Sequence, residues 1–126
     1  MAIFDGALYD ADVTLDGTPA RLLVDTGADR TWVLRNSAIG RALAPHARPV
    51  SDGAVDIQGV RTTHRVRAEL VVGNVRWTAD VDLMPGGEPG GLDGAIGMPE
   101  LRGCVLTFAV GRMVARCPTA APAATR

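Results

Sequence analysis

A chain of 126 residues with 47% hydrophobic and 21% charged content carries enough apolar material for one globular core, and one domain is expected. A formal charge of −1, a pI near 6.1 and thirteen scattered arginines with no lysine argue against a nucleic-acid surface. No apolar run approaches the roughly 20 residues of a membrane span, and Cys104, Cys117, His46 and His64 form no metal-ligand pattern.

Glycine (15) and proline (8) punctuate short apolar segments, which is the rhythm of strands and turns. Asp-Gly pairs stand at 5–6 and 16–17. The second predicts a hairpin joining Val13-Thr14-Leu15 to Ala20-Arg21-Leu22-Leu23-Val24. Asn36 or Ser37 is placed to cap a short helix over 37–43. Pro45 and Pro49 then bracket a loop. Residues 54–72 read as two strands around Asp56-Ile57-Gln58-Gly59. Gly73-Asn74 gives another tight turn, and Arg76 to Met84 alternates in the manner of a strand. Pro85 to Gly91 reads as a flexible connector. Pro99 suits the first turn of a short helix near the C-terminus. Residues 104–117 read as a final hairpin centred on Val110-Gly111. The Ala/Pro-rich stretch 119–126 is expected to be a disordered tail, which leaves 1–118 as the domain. No segment is long enough to build a helical layer. The expected fold class is all-β, with a closed, barrel-like sheet.

Trp32 and Trp77 lie in apolar strand patterns and are expected in the core. Arg65 and Arg67 flank Val66 and read as a solvated strand face. A final hairpin turning at 110–111 places Cys104 directly across from Cys117. The start, Met-Ala-Ile-Phe-Asp-Gly, lacks the basic and apolar regions of a signal peptide. Two neighbouring reduced thiols are therefore expected, with a bridge in an oxidising space. The same reading expects a cytoplasmic protein if the chain is complete, and otherwise a soluble domain of a longer one.

The segment Arg21-Leu22-Leu23-Val24-Asp25-Thr26-Gly27-Ala28-Asp29-Arg30-Thr31-Trp32-Val33 carries the chemistry. An apolar strand delivers Asp25, Gly27 permits a sharp turn, and a second apolar strand follows. Here the chain resembles a retropepsin-like aspartic protease, the single-lobe retroviral type. Three segments carry the resemblance in the family's order. They are Leu23 to Asp29, the hairpin around 51–66 in the place of the family's flap, and Gly94-Ala95-Ile96-Gly97-Met98-Pro99-Glu100-Leu101. The likeness spans roughly residues 3–117 and implies a barrel-like acid-protease fold with a β-hairpin flap and one short helix near the C-terminus.

Such proteases use two carboxylates that share one proton, because like charges about 3 Å apart cannot both ionise. One activates a water and the other protonates or polarises the carbonyl oxygen. This chain holds a single Asp-Thr-Gly; Asp52-Gly53 and Asp93-Gly94 lack the hydroxyl residue and the apolar lead-in. The second carboxylate is expected from a second copy across a two-fold axis. The resemblance assigns Asp25, Thr26 and Gly27 to the catalytic loop, with Thr26 bonding across the dimer. It assigns Ala28, Asp29, Val33, Ile57, Gln58, Gly59, Val60 and Ile96 to substrate contacts. Retroviral members pair the equivalent of Asp29 with an arginine, whereas Met98 stands at that place here. The flap tip is also poorer in glycine than theirs.

The resulting expectation is a homodimeric aspartic endopeptidase acting on a protein or peptide substrate, with no metal and no cofactor. An alternative keeps the fold and the dimer as a non-catalytic peptide-binding module. A third reading is a β-barrel ligand-binding domain of other ancestry.

Overall fold

The computed structural model describes residues 1–6, 9–56, 59–87 and 91–118. The expected tail, 119–126, lies outside them. Among the described residues, ten strands form one sheet: β1 (Ala2–Asp5), β2 (Asp10–Leu15), β3 (Thr18–Val24), β4 (Thr31–Leu34), β5 (Arg48–Asp56), β6 (Gly59–Val72), β7 (Val75–Met84), β8 (Gly94–Ile96), β9 (Val105–Ala109) and β10 (Arg112–Arg116). Two short helices, α1 (Ala38–Leu43) and α2 (Met98–Leu101), complete the fold with a 3-10 turn at Ala44–His46. The strand order is β5-β6-β7-β4-β8-β3-β2-β1-β10-β9. A further pairing, Thr14 with Val71 and Leu15 with Leu70, joins β2 to β6. That pairing closes β2, β3, β8, β4, β7 and β6 into a six-stranded barrel. The all-β, barrel-like expectation holds.

Local chemistry explains the connections. Asp16 and Gly17 adopt φ of 49° and 83° between β2 and β3, as a tight hairpin turn requires. Ser37 is the helix cap: its Oγ accepts from the Gly40 amide at 3.1 Å and donates to the Leu34 carbonyl at 2.7 Å. Phe4, Leu15, Leu22, Ile39, Leu70, Ile96, Leu101 and Met113 are fully buried and fill the interior.

On β6 and β7, Arg65 faces Asp82 and Arg67 faces Asp80 across the ladder. Arg65 Nε donates to Asp82 Oδ1 at 2.6 Å, and Arg67 Nε to Asp80 Oδ1 at 3.1 Å. Arg65 is thus a mostly covered cross-strand partner rather than part of a solvated face. The Arg67 guanidinium holds the Asp80 carboxyl below its ordinary range.

Strands β9 and β10 pair in the expected register, Ala109 with Arg112 through Val105 with Arg116. The next opposed pair is Cys104 and Cys117, and it is bridged, with Cα atoms 4.1 Å apart. The expectation of reduced thiols is overturned, because the hairpin register itself brings the two side chains together. The bridge spans a sequence separation of 13. Its reduction should lower unfolding stability by about 3 kcal/mol, on the chain-entropy scale for loops of this length. Denaturant melts with and without reductant measure the difference, and identical midpoints would show the crosslink contributes nothing.

Candidate active site

Strand β8 lies between β3 and β4, parallel to the first and antiparallel to the second. The chain leaving β3 cannot pair directly with β4, so residues 25–30 arch over the end of β8. Three hydrogen bonds pin that arch to the chain continuing from β8. The Asp25 amide donates to the Ile96 carbonyl at 3.0 Å, and the Met98 amide to the Ala28 carbonyl at 2.9 Å. The Gly97 amide donates to Thr31 Oγ1 at 3.0 Å. A Cβ on Gly97 would meet the Arg30 carbonyl oxygen at 2.5 Å, so only glycine permits this approach.

Within the arch, Asp25 Oδ1 accepts from the Gly27 amide at 3.0 Å. The carboxylate is thereby oriented by its own loop. A Cβ at residue 27 would stand 3.3 Å from that oxygen. Asp25 is half-buried, and Thr26 and Gly27 are exposed beside it. Among the described residues, nothing partners the Thr26 hydroxyl.

Thr31 is fully buried and donates to Glu100 Oε1, so amide, hydroxyl and carboxyl form a relay from Gly97 to α2. Without the Thr31 hydroxyl, a buried amide would lose its acceptor, at a cost of about 1–3 kcal/mol. Burial pushes the Glu100 carboxyl above its ordinary range, against the opposing pull of the Thr31 hydrogen bond.

A cavity of about 500 Å³ opens beside the arch. Ala28, Asp29 and Arg30 form one side, Thr62 to His64 of β6 another, and Asp82 to Pro85 of β7 a third. Trp32 also lines it, half-buried, rather than packing in the core as expected. Trp77 does pack against the core.

The residues expected to contact substrate divide accordingly. Ala28 and Asp29 reach the cavity. Among the described residues no arginine pairs with Asp29, in keeping with Met98 at the family's arginine position. Val33 and Ile96 have no exposed surface and belong to the core. Assigning them to subsites is corrected here: alternation along β4 sends Val33 inward and Trp32 to the cavity. Gly59 and Val60 begin β6, paired with Asp56 and Val55. Ile57 and Gln58 lie outside the described residues.

Arg30, Thr31, Asp82 and Glu100 escaped the sequence reading. For Glu100 the only signal was a charge set between Pro99 and Leu101, and Thr31, following Asp29-Arg30, carried none.

A family model described as aspartyl protease matches residues 11–99, from β2 into the start of α2. The chain belongs to the aspartyl protease family. No curated protein matches the chain. The matched stretch of this aspartyl protease contains the arch, the β5–β6 hairpin and β8, and it ends before the disulfide. Membership points to peptidase chemistry at the family level.

Glu100 supplies a test of the floor beneath the site. Its folded-state proton affinity is raised, so the linked stability is fully present below the ordinary glutamate pKa. That stability is lost as pH rises through the raised folded value. The thermal midpoint of the native protein should therefore drop, relative to Glu100→Gln, between mildly acidic and neutral pH. Parallel midpoint curves for the two proteins would show that burial does not perturb Glu100.

Proposed function

We propose that the chain is one half of a homodimeric aspartic endopeptidase, in which two Asp25 carboxylates, one per subunit, activate the attacking water. The observation that carries this reading is the pinned arch. It holds one carboxylate in place, half-open to solvent, while its farther residues, Ala28 to Arg30, line a cavity large enough for a side chain. One carboxylate cannot both activate water and polarise the carbonyl, so a single chain is chemically incomplete. A two-fold axis beside Asp25 would supply the second.

Two features support a second copy as the partner. The exposed Thr26 hydroxyl has no acceptor or donor among the described residues of its own chain, and it stands next to the carboxylate. The outer leaf of the sheet, β1, β10 and β9, also presents Ile3, Val105, Phe108 and Val110 to solvent. Exposed apolar groups on an edge strand favour coverage by another chain.

The roof of the site is the β5–β6 hairpin, which reaches the cavity through Thr62 to His64. An extended peptide laid between arch and hairpin would run as an added strand, with alternate side chains entering pockets. In this reading Asp29, which lines the cavity, accepts from peptide amides.

Asp25→Asn should abolish cleavage of a peptide library, by at least about a hundredfold, because the amide cannot act as base or share the proton. Its Oδ1 can still accept from Gly27, so the thermal midpoint should change little. Native specific activity should rise with protein concentration and then saturate. Wild-type turnover by Asp25→Asn, or full activity in a monomer shown by sedimentation, would refute the shared-carboxylate mechanism.

A further inference from the structure

At the β9 end of the sheet the apolar layer runs on past the core. Phe4 of β1 faces Met113 of β10, and Met113 faces Phe108 of β9. Ala2, Ala115 and Leu106 form a second such row. Residues opposed across a ladder share one face of the sheet. Phe4, Met113, Ala2 and Ala115 have no exposed surface. Phe108, on that same face, is 56% exposed, and Leu106 is half-buried. Tyr9 meets the Phe108 ring edge-on, with centroids 5.6 Å apart, and covers it only in part.

The two edges of the sheet differ in chemistry. Strand β5, at the far edge, carries Arg48, Pro49, Asp52 and Asp56 along its length. Charges and proline on an edge discourage pairing with another chain. Strand β9 has one neighbour, β10, among the described residues. With the turn residue that follows, it reads Val105-Leu106-Thr107-Phe108-Ala109-Val110, without charge, proline or glycine. Such an edge is prone to be covered by another strand.

This edge lies at the end of the sheet from which Asp25 emerges. One line of register runs Leu23, Asp10, Asp5, Arg112, Ala109, from β3 across to β9. Asp25 comes two residues after Leu23, and Phe108 and Val110 flank Ala109. Tyr9 gives a second link: its ring touches Phe108, and its carbonyl accepts from the Val24 amide at 3.0 Å. A second copy suits the edge because β9 is self-complementary. Antiparallel pairing of two β9 strands about Thr107 sets Leu106 of each copy opposite Phe108 of the other. Both apolar rows then continue into the second copy, and no like charges meet.

We propose that β9 is the seam of the homodimer, pairing antiparallel with β9 of a second copy across a two-fold axis. The proposal rests on the homodimer reading above and deepens it by naming the surface that joins the chains.

Thr107 is exposed in the single chain and central in the pairing. Thr107→Lys should therefore leave the subunit folded while setting two like charges face to face. Sedimentation should show the dimer dissociation constant raised by at least about tenfold, because apposed like charges at an interface are strongly unfavourable. Phe108→Ala strips the ring from the apolar row and should weaken the dimer in the same direction, should the first variant fold poorly. Thr78→Lys makes the same exchange at an exposed position of β7 and should change neither association nor cleavage. Thr107→Cys reads the register directly, since opposed Cβ atoms lie about 4.5–5.5 Å apart and the native cysteines are bridged to each other. Mild oxidant should link two chains through residue 107 and should not link Thr78→Cys. A dimer that survives both Thr107→Lys and Phe108→Ala, or that forms no link through residue 107, would overturn the seam. Cleavage by that dimer, abolished in Asp25→Asn, would leave the peptidase reading standing. Chains linked through residue 107 that cleave no peptide would defeat the peptidase reading and uphold the seam. A native chain that stays monomeric at every concentration would overturn a second copy as the occupant.

Discussion

The insertion of β8 between β3 and β4 is the constraint on which the rest depends. Three residues, Gly94 to Ile96, occupy the slot where β3 and β4 would otherwise pair. The loop joining β3 to β4 must therefore climb over β8, and the climb is what lifts Asp25 out of the sheet. Backbone bonds from Asp25 and Ala28, and the Thr31 hydroxyl accepting from the Gly97 amide, then tie both feet of the arch to residues 96–98. The carboxylate owes its position to a buried main chain distant in sequence. Such main-chain bonds, shielded from solvent, resist distortion far better than side-chain contacts at a surface.

Beneath the arch, polarity is concentrated where apolar packing would be cheaper. Thr31 and Glu100 are both buried, and the relay through Gly97 satisfies each polar atom only in one geometry. A sliding β8 or a rotated α2 would strand a buried donor. The network therefore fixes the registry of arch and helix, at the expense of a carboxyl that burial pushes toward neutrality. The roof is organised differently. Arg65 and Asp82 face each other across β6 and β7, so an ion pair lies under the cavity and holds the hairpin base to the barrel.

Much of this was readable from local chemistry. The turns at 16–17, 73–74 and 110–111 each contain a residue with positive φ, and Gly, Asp or Asn announces such turns. A two-residue turn fixes its hairpin's register, which is why Cys104 and Cys117 were correctly placed opposite each other. Their oxidation state was misjudged because the argument came from compartment rather than from geometry. The Asp-Thr-Gly turn at 25–27 was legible because strand, carboxylate and glycine are contiguous. The phase of β4 was not. Trp32 was expected inside and Val33 in a subsite, and the structure reverses them. Nothing local sets that phase: it follows from Thr31, which must face inward to meet Gly97 and Glu100. A one-residue error in phase exchanges every side chain between core and cleft. The partner of a three-residue strand such as β8 is equally invisible, since its neighbours on both sides lie 61 to 72 residues earlier.

Arg30 shows how one residue divides these roles. Its carbonyl lies in the tight approach that demands glycine at 97, so its backbone belongs to the floor. Its side chain lines the cavity and stands within ion-pair distance of Asp82, with Nε 3.5 Å from Oδ2. The backbone part is indifferent to which side chain residue 30 carries, provided its φ and ψ are ordinary. The cavity part is decided by that side chain. Under the proposed function, the position is free to change what the cleft selects while the carboxylate beside it stays fixed. Asp25 lies in contrast, because its backbone and its side chain are both committed, to Ile96 and to Gly27. Rigidity and selectivity thus sit five residues apart on one arch, and they are separable because the first rests on main-chain bonds and on the Asp25 and Thr31 side chains, not on the side chain of residue 30.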